Sequence, residues 1–313
     1  MRIVIAGGTG FLGSPLAEVY AEEGHDVRVL TRTLPPGQAR HEPGTGKPGV
    51  THVGWRPDGP DGPWAATIDG ADAVINLAGA SIADRRWTPQ RKAELRDSRI
   101  VPTRSLATAI QAASSPPRVL ISSSGVNFYG TGDSEVKTEA SPPGTDFLSQ
   151  LCVDWEAEAR RAQRDGLRIV LLRTGMALER SGGPLPHMML PFRLFAGGRV
   201  GSGRQFMSWI HRIDWIEMVR WVVETPSADG PVNATAPHPV TNREFARALG
   251  RALRRPALIP APPFALKLLF GELADTLLLN GQRVVPAKAQ ALGFHFRYPE
   301  IDIAFRGIFG DRW

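Results

Sequence analysis

The sequence begins with a short apolar run that leads directly into regularly spaced glycines. Arg2 to Ala6 is rich in β-branched residues, which is typical of a buried strand in a parallel sheet. Gly7, Gly10 and Gly13 follow at intervals of three, and an apolar period typical of a helix begins near Phe11. A glycine turn between a first strand and a first helix predicts the opening unit of a doubly wound, Rossmann-type α/β domain.

Each glycine of this turn has its own predicted role. Gly7 permits a turn out of the strand, Gly10 lets a pyrophosphate approach the backbone, and Gly13 lets the helix pack tightly on the strand. The unpaired N–H groups at the start of the helix face the same anion. We therefore expect a dinucleotide to be held by residues of this loop: Gly7, Thr9, Gly10, Phe11, Leu12 and Gly13. The alternative is a glycine turn that binds no ligand.

The second strand indicates which dinucleotide is bound. Asp26 to Thr31 reads as a strand, and Arg32 follows it, nineteen residues after Gly13. An NAD site usually has an acidic residue near this spacing, to accept the ribose hydroxyls, whereas an arginine can pair with a 2′-phosphate. Arg32 thus favours NADP(H). The alternative is an arginine that is merely solvated at a strand end.

Strands and helices alternate through the first 175 residues, which argues for a parallel sheet wound on both faces. Small or polar residues follow two of these strands, at the edge where ligands bind in this architecture. We expect the cofactor to contact Asn76, Leu77, Ala78, Gly79 and Ser122 there. Further strands are predicted at 50–55, 72–78, 118–122 and 167–173, with helices at 88–113, kinked at Pro102, and at 147–163.

The pattern changes after residue 175. Residues 1–175 are predicted to form the NADP-binding domain, to which a strand at 230–235 returns, and residues 176–313 a smaller substrate-side lobe with a helical segment at 260–313. Arg204, Trp209 and His211 are candidate substrate-binding residues in this lobe. A structural histidine packed beside Trp209 is the alternative for His211.

Composition narrows the functional classes. The chain has no apolar run near the roughly 20 residues that span a bilayer, and no signal-peptide pattern, so we expect a cytoplasmic protein with no membrane partner. Cys152 is the single cysteine, which leaves no internal disulfide and no cysteine-based metal site. No metal site is predicted.

Net charge is the one compositional feature that suggests a nucleic-acid partner. The formal net charge is +6, and 32 arginines against 5 lysines look spread along the chain, without a binding motif for nucleic acid. We therefore expect a small-molecule substrate and no nucleic acid. A homodimer is left open.

Four stretches, GGTGFLG, NLAG, SSSGVNFYG and SWIHRID, together resemble an extended short-chain dehydrogenase/reductase. More narrowly, the chain is similar to the atypical, NAD(P)-dependent epimerase/dehydratase-like members that end in a domain of unknown function, matched here by residues 263–299 with GELADTLLLNGQRVVPAKAQALGF. The resemblance implies a Rossmann domain, bound NADP(H) and a small C-terminal domain that encloses a substrate cleft. It implies no particular substrate.

The chain departs from that superfamily where the proton is transferred. The usual chemistry needs a tyrosine with a lysine four residues later, which lowers the pKa of the phenol. None of the three tyrosines has such a lysine; alignment on the predicted helix puts Leu148 in the tyrosine place and Cys152 in the lysine place. Arg99 replaces the asparagine often found on the preceding helix. Cys152 itself is interpreted as helix packing.

Two residues are candidates for catalytic roles, one as the serine of the family and one in place of the missing pair. Ser124, with Ser123 close behind, corresponds to the catalytic serine, and Tyr129 is the nearest proton relay; the alternative for Tyr129 is a packed aromatic side chain. Arg99 or another cation is expected to be needed to lower the pKa of Tyr129. The leading hypothesis is an NADP(H)-dependent oxidoreductase or epimerase-like enzyme that acts on a small carbonyl or sugar-derived substrate. The alternative is a non-catalytic regulator or scaffold that binds NADP(H).

Overall fold

The computed structural model describes residues 1–34, 49–57, 59, 62–132 and 134–310. Their strands, in chain order, are β1 Arg2–Ala6, β2 Asp26–Thr31, β3 Gly49–Gly54, β4 Ala73–Asn76, β5 Val119–Gly125, β6 Val136–Lys137, β7 Arg168–Thr174, β8 Met176–Leu178, β9 Phe206–Met207, β10 Trp209–His211, β11 Gly230–Ala234, β12 Val240–Thr241 and β13 Arg283–Val284. Their α-helices are α1 Gly13–Glu22, α2 Pro89–Ala112, α3 Phe147–Arg160, α4 Leu185–Arg193, α5 Arg212–Glu224, α6 Asn242–Leu253, α7 Pro263–Phe270, α8 Ala287–Ala291 and α9 Ile301–Phe309.

In the described residues, seven strands form one sheet in the order β11-β7-β5-β4-β1-β2-β3. Every neighbouring pair in this sheet is parallel. The order reverses at β1, which lies between β2 and β4, so a crevice opens at the carboxyl ends of β1 and β4. The Rossmann-type fold predicted from the sequence is confirmed, and β11 returns to the sheet beside β7 where a strand was expected.

Apolar side chains cover both faces of the sheet. On one face, α1 and α5 pack through Leu16, Tyr20, Trp215 and Val219. On the other, α2 and α3 pack through side chains that include Leu106, Ile110 and Ala159. Because both faces are buried, the strands read as continuous apolar runs and not as alternating ones. This packing explains why the strands were recognisable from the sequence.

The element bounds differ most from the predicted ones at β5. That strand was expected to end at Ser122 but continues to Gly125, so Ser123 and Ser124 lie in the sheet. Helix α2 begins as predicted, because the Thr88 hydroxyl accepts a hydrogen bond from the Arg91 N–H, and it continues through Pro102. Residues 34–49 are rich in proline and glycine, which predicts a loop, and most of them lie outside the described residues.

The C-terminal part has an apolar core of its own, around Trp209, with side chains from α4, α6 and α9. Not everything after residue 175 belongs to it, since α5 and β11 pack with the large sheet. Leu273 packs with Trp87, Leu95 and Leu148, and so holds the C-terminal segment against α2 and α3. The division at residue 175 stays a prediction. No helix in the described residues is long and apolar enough to cross a membrane.

Candidate functional site

The three glycines of the first loop meet different surroundings. Gly7 has φ +77°, and a β-carbon on it would lie 2.7 Å from the Leu77 carbonyl group. A β-carbon on Gly13 would lie 2.4 Å from the Gly7 oxygen, whereas on Gly10 the nearest atom, the same oxygen, would be 3.3 Å away. The fold itself therefore requires glycine at the first and third positions. The fold has much less need of glycine at Gly10, as expected of a position where space is kept for a ligand.

The start of α1 is open to an anion. Leu12 is the N-cap residue and provides no side-chain cap, while Thr9 and Gly10 are exposed. The Phe11 ring, by contrast, packs on the protein: β-carbons on Gly182 and Gly183 would lie 2.6 and 2.7 Å from it, and the Arg212 guanidinium is 5.6 Å from its centre. Backbone amides at the start of a helix that lacks a side-chain cap suit a pyrophosphate.

The turn after β4 is shaped by the Asn76 side chain, which is fully buried. Its Nδ2 donates to the Thr103 hydroxyl at 2.7 Å, and its Oδ1 accepts from the Ala78 N–H at 3.2 Å. These two bonds leave the backbone of Leu77, Ala78 and Gly79 beside the glycine loop. Asn76 thus acts by holding the turn, and what the turn presents to the crevice is backbone.

Arg32 lies directly after β2 and is exposed. Among the described residues its side chain has no hydrogen bond or ion pair. A guanidinium without an internal partner is what a 2′-phosphate site requires, and it is equally what a solvated strand end looks like. Both interpretations of Arg32 therefore stay open at this point.

The three serines of β5 alternate between the faces of the sheet. Ser122 and Ser124 face α2 and α3, with Ser122 Oγ buried and unpartnered in the described residues. Ser124 Oγ donates to Glu156 Oε1 at 2.8 Å. Ser123 faces the other side, is half-buried, and makes no side-chain hydrogen bond to a described residue. The hydroxyl available to a ligand is thus that of Ser123, while the predicted Ser124 hydroxyl is in use.

Ser124 belongs to a buried polar network that joins β5, α3, β7 and β11. Arg173 donates from Nε to Glu156 Oε1 at 2.8 Å and from Nη2 to Oε2 at 2.9 Å. Its Nη1 donates to the Tyr129 hydroxyl at 3.0 Å, which in turn donates to Asn233 Oδ1 at 2.6 Å. Burial alone lowers the pKa of Arg173, but hydrogen bonding and charge from Glu156 raise it overall. The network is therefore an ionised pair with its hydrogen bonds satisfied.

Tyr129 is held by this network. Its side chain is 4% exposed, and its ring meets the Phe128 ring edge-on, with 5.4 Å between centres. The cation that touches its hydroxyl is Arg173, so of the two possibilities that the sequence left open, Arg99 or another cation, the structure places another cation there. Burial raises the pKa of Tyr129 more than the Arg173 charge lowers it, so the phenol is protonated at neutral pH. The contacts fit the packed aromatic alternative, and a relay role for Tyr129 stays a prediction.

Helix α3 carries no acid–base pair at the positions compared with tyrosine and lysine. Leu148 packs with Trp87 and Leu95, and burial raises the pKa of the Cys152 thiol to about 11. Arg99 lies close by: it donates to the Leu95 and Ala80 carbonyls at 3.0 and 2.9 Å, and burial lowers its pKa to about 10. Arg99 thus holds the turn after β4 and adds a positive charge beneath it.

The three predicted substrate residues do not lie in one cluster of ligand-facing groups. Trp209 is fully buried in the C-terminal core, and Arg204 is exposed. His211 caps α5, because its Nδ1 accepts from the Ile213 N–H at 3.0 Å, and its ring stacks on Tyr298 at 3.8 Å. Burial lowers the pKa of His211 to about 4, so it is neutral near pH 7. The structural alternative fits His211 and Trp209 better than ligand binding does.

Sequence reasoning missed Glu156, Arg173 and Asn233. The available signal was a charged residue that ends the apolar run of β7, since such a residue must find a partner when buried. Spacing along the sequence could not show that α3 supplies the partner. In the described residues, no group of three or more His, Cys, Asp or Glu side chains is arranged to hold a metal ion.

Comparisons with known proteins find similarity along nearly the whole chain. Residues 3–234 match the NAD dependent epimerase/dehydratase family, and residues 261–308 match a domain of unknown function, DUF1731. Epimerase family protein Mb2239 of Mycobacterium bovis is 41% identical over 299 residues, which cover 96% of this chain and 94% of that protein. A chloroplastic SDR39U1 homolog of Arabidopsis thaliana is 39% identical over 310 residues, covering 98% and 86%.

Among solved structures, human epimerase family protein SDR39U1 with NADPH superimposes with a TM-score of 0.88 at 36% identity, covering 99% of this chain and 100% of that one. Because one relative is chloroplastic by name, the cytoplasmic location predicted above stays a prediction. The chain therefore belongs to the NAD dependent epimerase/dehydratase family, with the extended short-chain dehydrogenase/reductase fold and the C-terminal domain that the sequence motifs indicated.

Proposed function

We propose that the crevice at the carboxyl ends of β1 and β4 binds NADP(H). The observation that carries this proposal is the contrast between Gly10, where a β-carbon would meet little, and Gly7 and Gly13, where it would collide with backbone. The open start of α1 would hold the pyrophosphate, and Arg32 the 2′-phosphate. The NADPH in the human relative supports the same assignment.

We also propose that the chain is an oxidoreductase or epimerase-like enzyme that acts on a small carbonyl or sugar-derived substrate. Bound NADP(H) would supply hydride chemistry. Ser122 and Ser123 are the β5 hydroxyls without a partner in the described residues, and of these Ser122 is fully buried while Ser123 is half-buried. Ser123 is therefore the group we propose to donate a hydrogen bond to a substrate carbonyl. In this proposal Ser124 and Tyr129 act as positioning residues, because the network with Glu156 and Arg173 uses their hydroxyls.

Calorimetry tests the cofactor assignment. The folded chain is titrated with NADPH and with NADH, and the Arg32→Ser variant is treated in the same way. We expect at least tenfold weaker NADPH binding by the variant and little change for NADH, because only NADPH carries the 2′-phosphate. No association of the wild-type chain with either nucleotide would overturn the proposal. An equal loss for both nucleotides would remove only the role of Arg32.

Turnover tests the reaction. The wild-type chain, S123A, S124A and Y129F are assayed with NADPH against a panel of carbonyl compounds and sugar nucleotides. We expect S123A to lower kcat/KM by roughly a hundredfold, as loss of one oxyanion donor does. Unaltered turnover in both S124A and Y129F would remove their positioning role and, with it, any catalytic role. Unaltered turnover in S123A would remove Ser123.

The alternative is a regulator or scaffold that binds NADP(H) without turnover. Two observations favour it. No residue of α3 provides the usual proton donor, and the Tyr129 hydroxyl is used in an internal hydrogen bond. This alternative predicts stabilisation by NADPH and no oxidation of it with any compound of the panel. Sustained NADPH oxidation that depends on an added carbonyl would exclude a purely non-catalytic role.

A further inference from the structure

The exposed large apolar side chains of the described residues are concentrated in two segments. Three lie at the end of α4, and six lie between α6 and the end of α7. Elsewhere the described residues expose only Met1, Val136 and Leu292 in this class. The nine are Leu190, Leu194, Phe195, Leu258, Ile259, Phe264, Leu268, Leu269 and Phe270. We call residues 190–200 and 243–270 together the C-terminal face.

These two segments meet in space. The Ile259 N–H donates to the Gly197 carbonyl at 3.0 Å, and the Ala261 N–H donates to the Arg199 carbonyl at 2.9 Å. The Arg255 guanidinium lies 4.5 Å from the centre of the Phe195 ring. The exposed apolar groups therefore lie on connected parts of one surface, larger than the scattered apolar residues that are normal on a protein surface.

Helix α7 gives this surface its most exposed part. None of its residues is buried, and Phe264 and Leu268, one turn apart, are 75% and 76% exposed. Only Ala265 and Leu266 of this helix are half-buried, so most of its apolar side chains gain little from packing against the protein. The exposure of these apolar side chains is explained if they insert into an apolar environment outside the protein.

The C-terminal face also carries the excess positive charge of the chain. Its two segments contain eight arginine and lysine residues and one acidic residue, Glu244, while the whole chain has a formal net charge of +6. The rest of the chain is therefore net negative by one charge. Two of the eight, Arg251 and Lys267, pair with acidic side chains outside the segments, Asp302 and Asp275. Arg199, Arg243 and Arg247 line a groove of about 310 Å³ together with Leu258, so charged and apolar groups are interleaved. This local excess corrects the view that the arginines are evenly spread.

We propose that the C-terminal face docks on the surface of an anionic lipid bilayer, with α7 lying in the interface. Apolar side chains bordered by arginines suit lipid headgroups with acyl chains beneath them. A second copy of the chain would bring two like-charged faces together in a symmetric dimer, which charge repulsion disfavours. A nucleic acid would use the arginines but not Phe264 and Leu268. This is peripheral contact, and it revises the expectation of no membrane partner, which rested on the missing span.

Vesicle flotation with the full chain tests the proposal. We expect the chain to float with vesicles of 70% phosphatidylcholine and 30% phosphatidylglycerol, and much less with pure phosphatidylcholine. Each arginine near such a surface raises the partition of the protein onto the vesicles about fivefold. R243E/R247E should therefore bind at least about twentyfold more weakly. F264S/L268S should bind more than tenfold more weakly, because two large apolar groups no longer insert.

A matched variant controls for total charge. R118E/R161E changes the net charge by the same amount, and the side chains are 76% and 64% exposed outside the C-terminal face. It should float like the wild type, and all variants should keep the NADPH affinity of the wild type if they are folded. Equal binding to both kinds of vesicle, equal loss in R118E/R161E, or no binding at all would overturn the proposal. So would a dimer in sedimentation that F264S/L268S abolishes, since a second copy would then cover this face.

Discussion

The two ends of the sheet crevice use their polar groups in opposite ways. At the β1–α1 end, the loop packs through glycines and leaves backbone amides and Arg32 without internal side-chain partners. At the β5–α3 end, Ser124 and Tyr129 are bonded to Glu156, Arg173 and Asn233. Two β5 serines have no side-chain partner in the described residues; Ser122 is fully buried, and only Ser123 is half-buried. The β1–α1 end, the proposed cofactor end, leaves polar groups available to a ligand. The β5–α3 end, the proposed reaction end, uses most of its polar groups within the structure.

The largest effect expected is at the reaction end. Glu156→Gln keeps the size of the side chain but leaves the buried Arg173 guanidinium without a counter-charge, so the free energy of unfolding should fall by about 3–5 kcal/mol. Urea unfolding measures it. Glu158→Gln, two residues further along α3, loses a pair with the exposed Arg104 and should cost less than about 1 kcal/mol. Similar losses for both variants would contradict a structural role for the network.

At the cofactor end, two glycine variants should separate folding from binding. Gly13→Ala puts a β-carbon 2.4 Å from the Gly7 oxygen, so it should lower the free energy of unfolding by roughly 2–4 kcal/mol. Gly10→Ala should cost less than about 1 kcal/mol, while NADPH affinity falls at least tenfold because the phosphates approach this position. Thermal unfolding measures the change in stability, and calorimetry measures the change in NADPH affinity. Wild-type affinity in a folded Gly10→Ala variant would contradict the assigned role of Gly10.

Between the two ends, His211 should make stability depend on pH. Its pKa is lowered to about 4 by burial, against about 6.5 when unfolded, so the unfolded chain binds the proton more readily between these values. Stability is therefore lost as pH falls from about 6.5 towards 4, by up to roughly 3 kcal/mol. His211→Asn, which can still cap α5, should flatten this dependence. His238→Asn, at an exposed position, should leave it unchanged, and unfolding at several pH values compares them.

The smallest contrast separates neighbouring serines. Ser124→Ala removes a hydrogen bond to a buried carboxylate and should lower the free energy of unfolding by about 1–2 kcal/mol. Ser123→Ala removes no internal bond and should stay within about 0.5 kcal/mol of the wild type. Urea unfolding of the two variants is the measurement. A larger loss in Ser123→Ala would show that its hydroxyl also serves the structure.

The sequence was most informative where one local rule acts on adjacent residues. The glycine spacing, the apolar strands and the Thr88 cap each depend on neighbours within a few positions, and these parts of the fold agree with the structure. The extent of β5 was underestimated, because its serines look like a loop until their partners on α3 are known. Once the strand is known to reach Gly125, strand alternation shows that Ser123 faces away from α2 and α3, while Ser122 and Ser124 face them.

Roles that depend on distant contacts could not be predicted. The motif around His211 gave equal support to a ligand group and to a structural residue, and only the cap on Ile213 and the stack on Tyr298 distinguish them. The cation beside Tyr129 could not be identified from the sequence, since Arg173 comes from a strand and lies 44 residues further along the chain. Local charge density was also missed, because the segment that follows α4 and the segment that precedes α7 adjoin only after folding.

The polar network reaches beyond the Rossmann sheet, through the amide of Asn233. Its Nδ2 donates to the Val285 carbonyl at 2.9 Å, and Glu139 accepts from the Asn233 and Lys288 backbone amides at 3.0 and 3.2 Å. Truncating the chain ahead of residue 283 would leave the Asn233 amide and the Glu139 carboxylate without these hydrogen-bond partners. The domain of unknown function is thus not a detachable appendage, and its removal should leave an insoluble chain instead of a smaller folded protein.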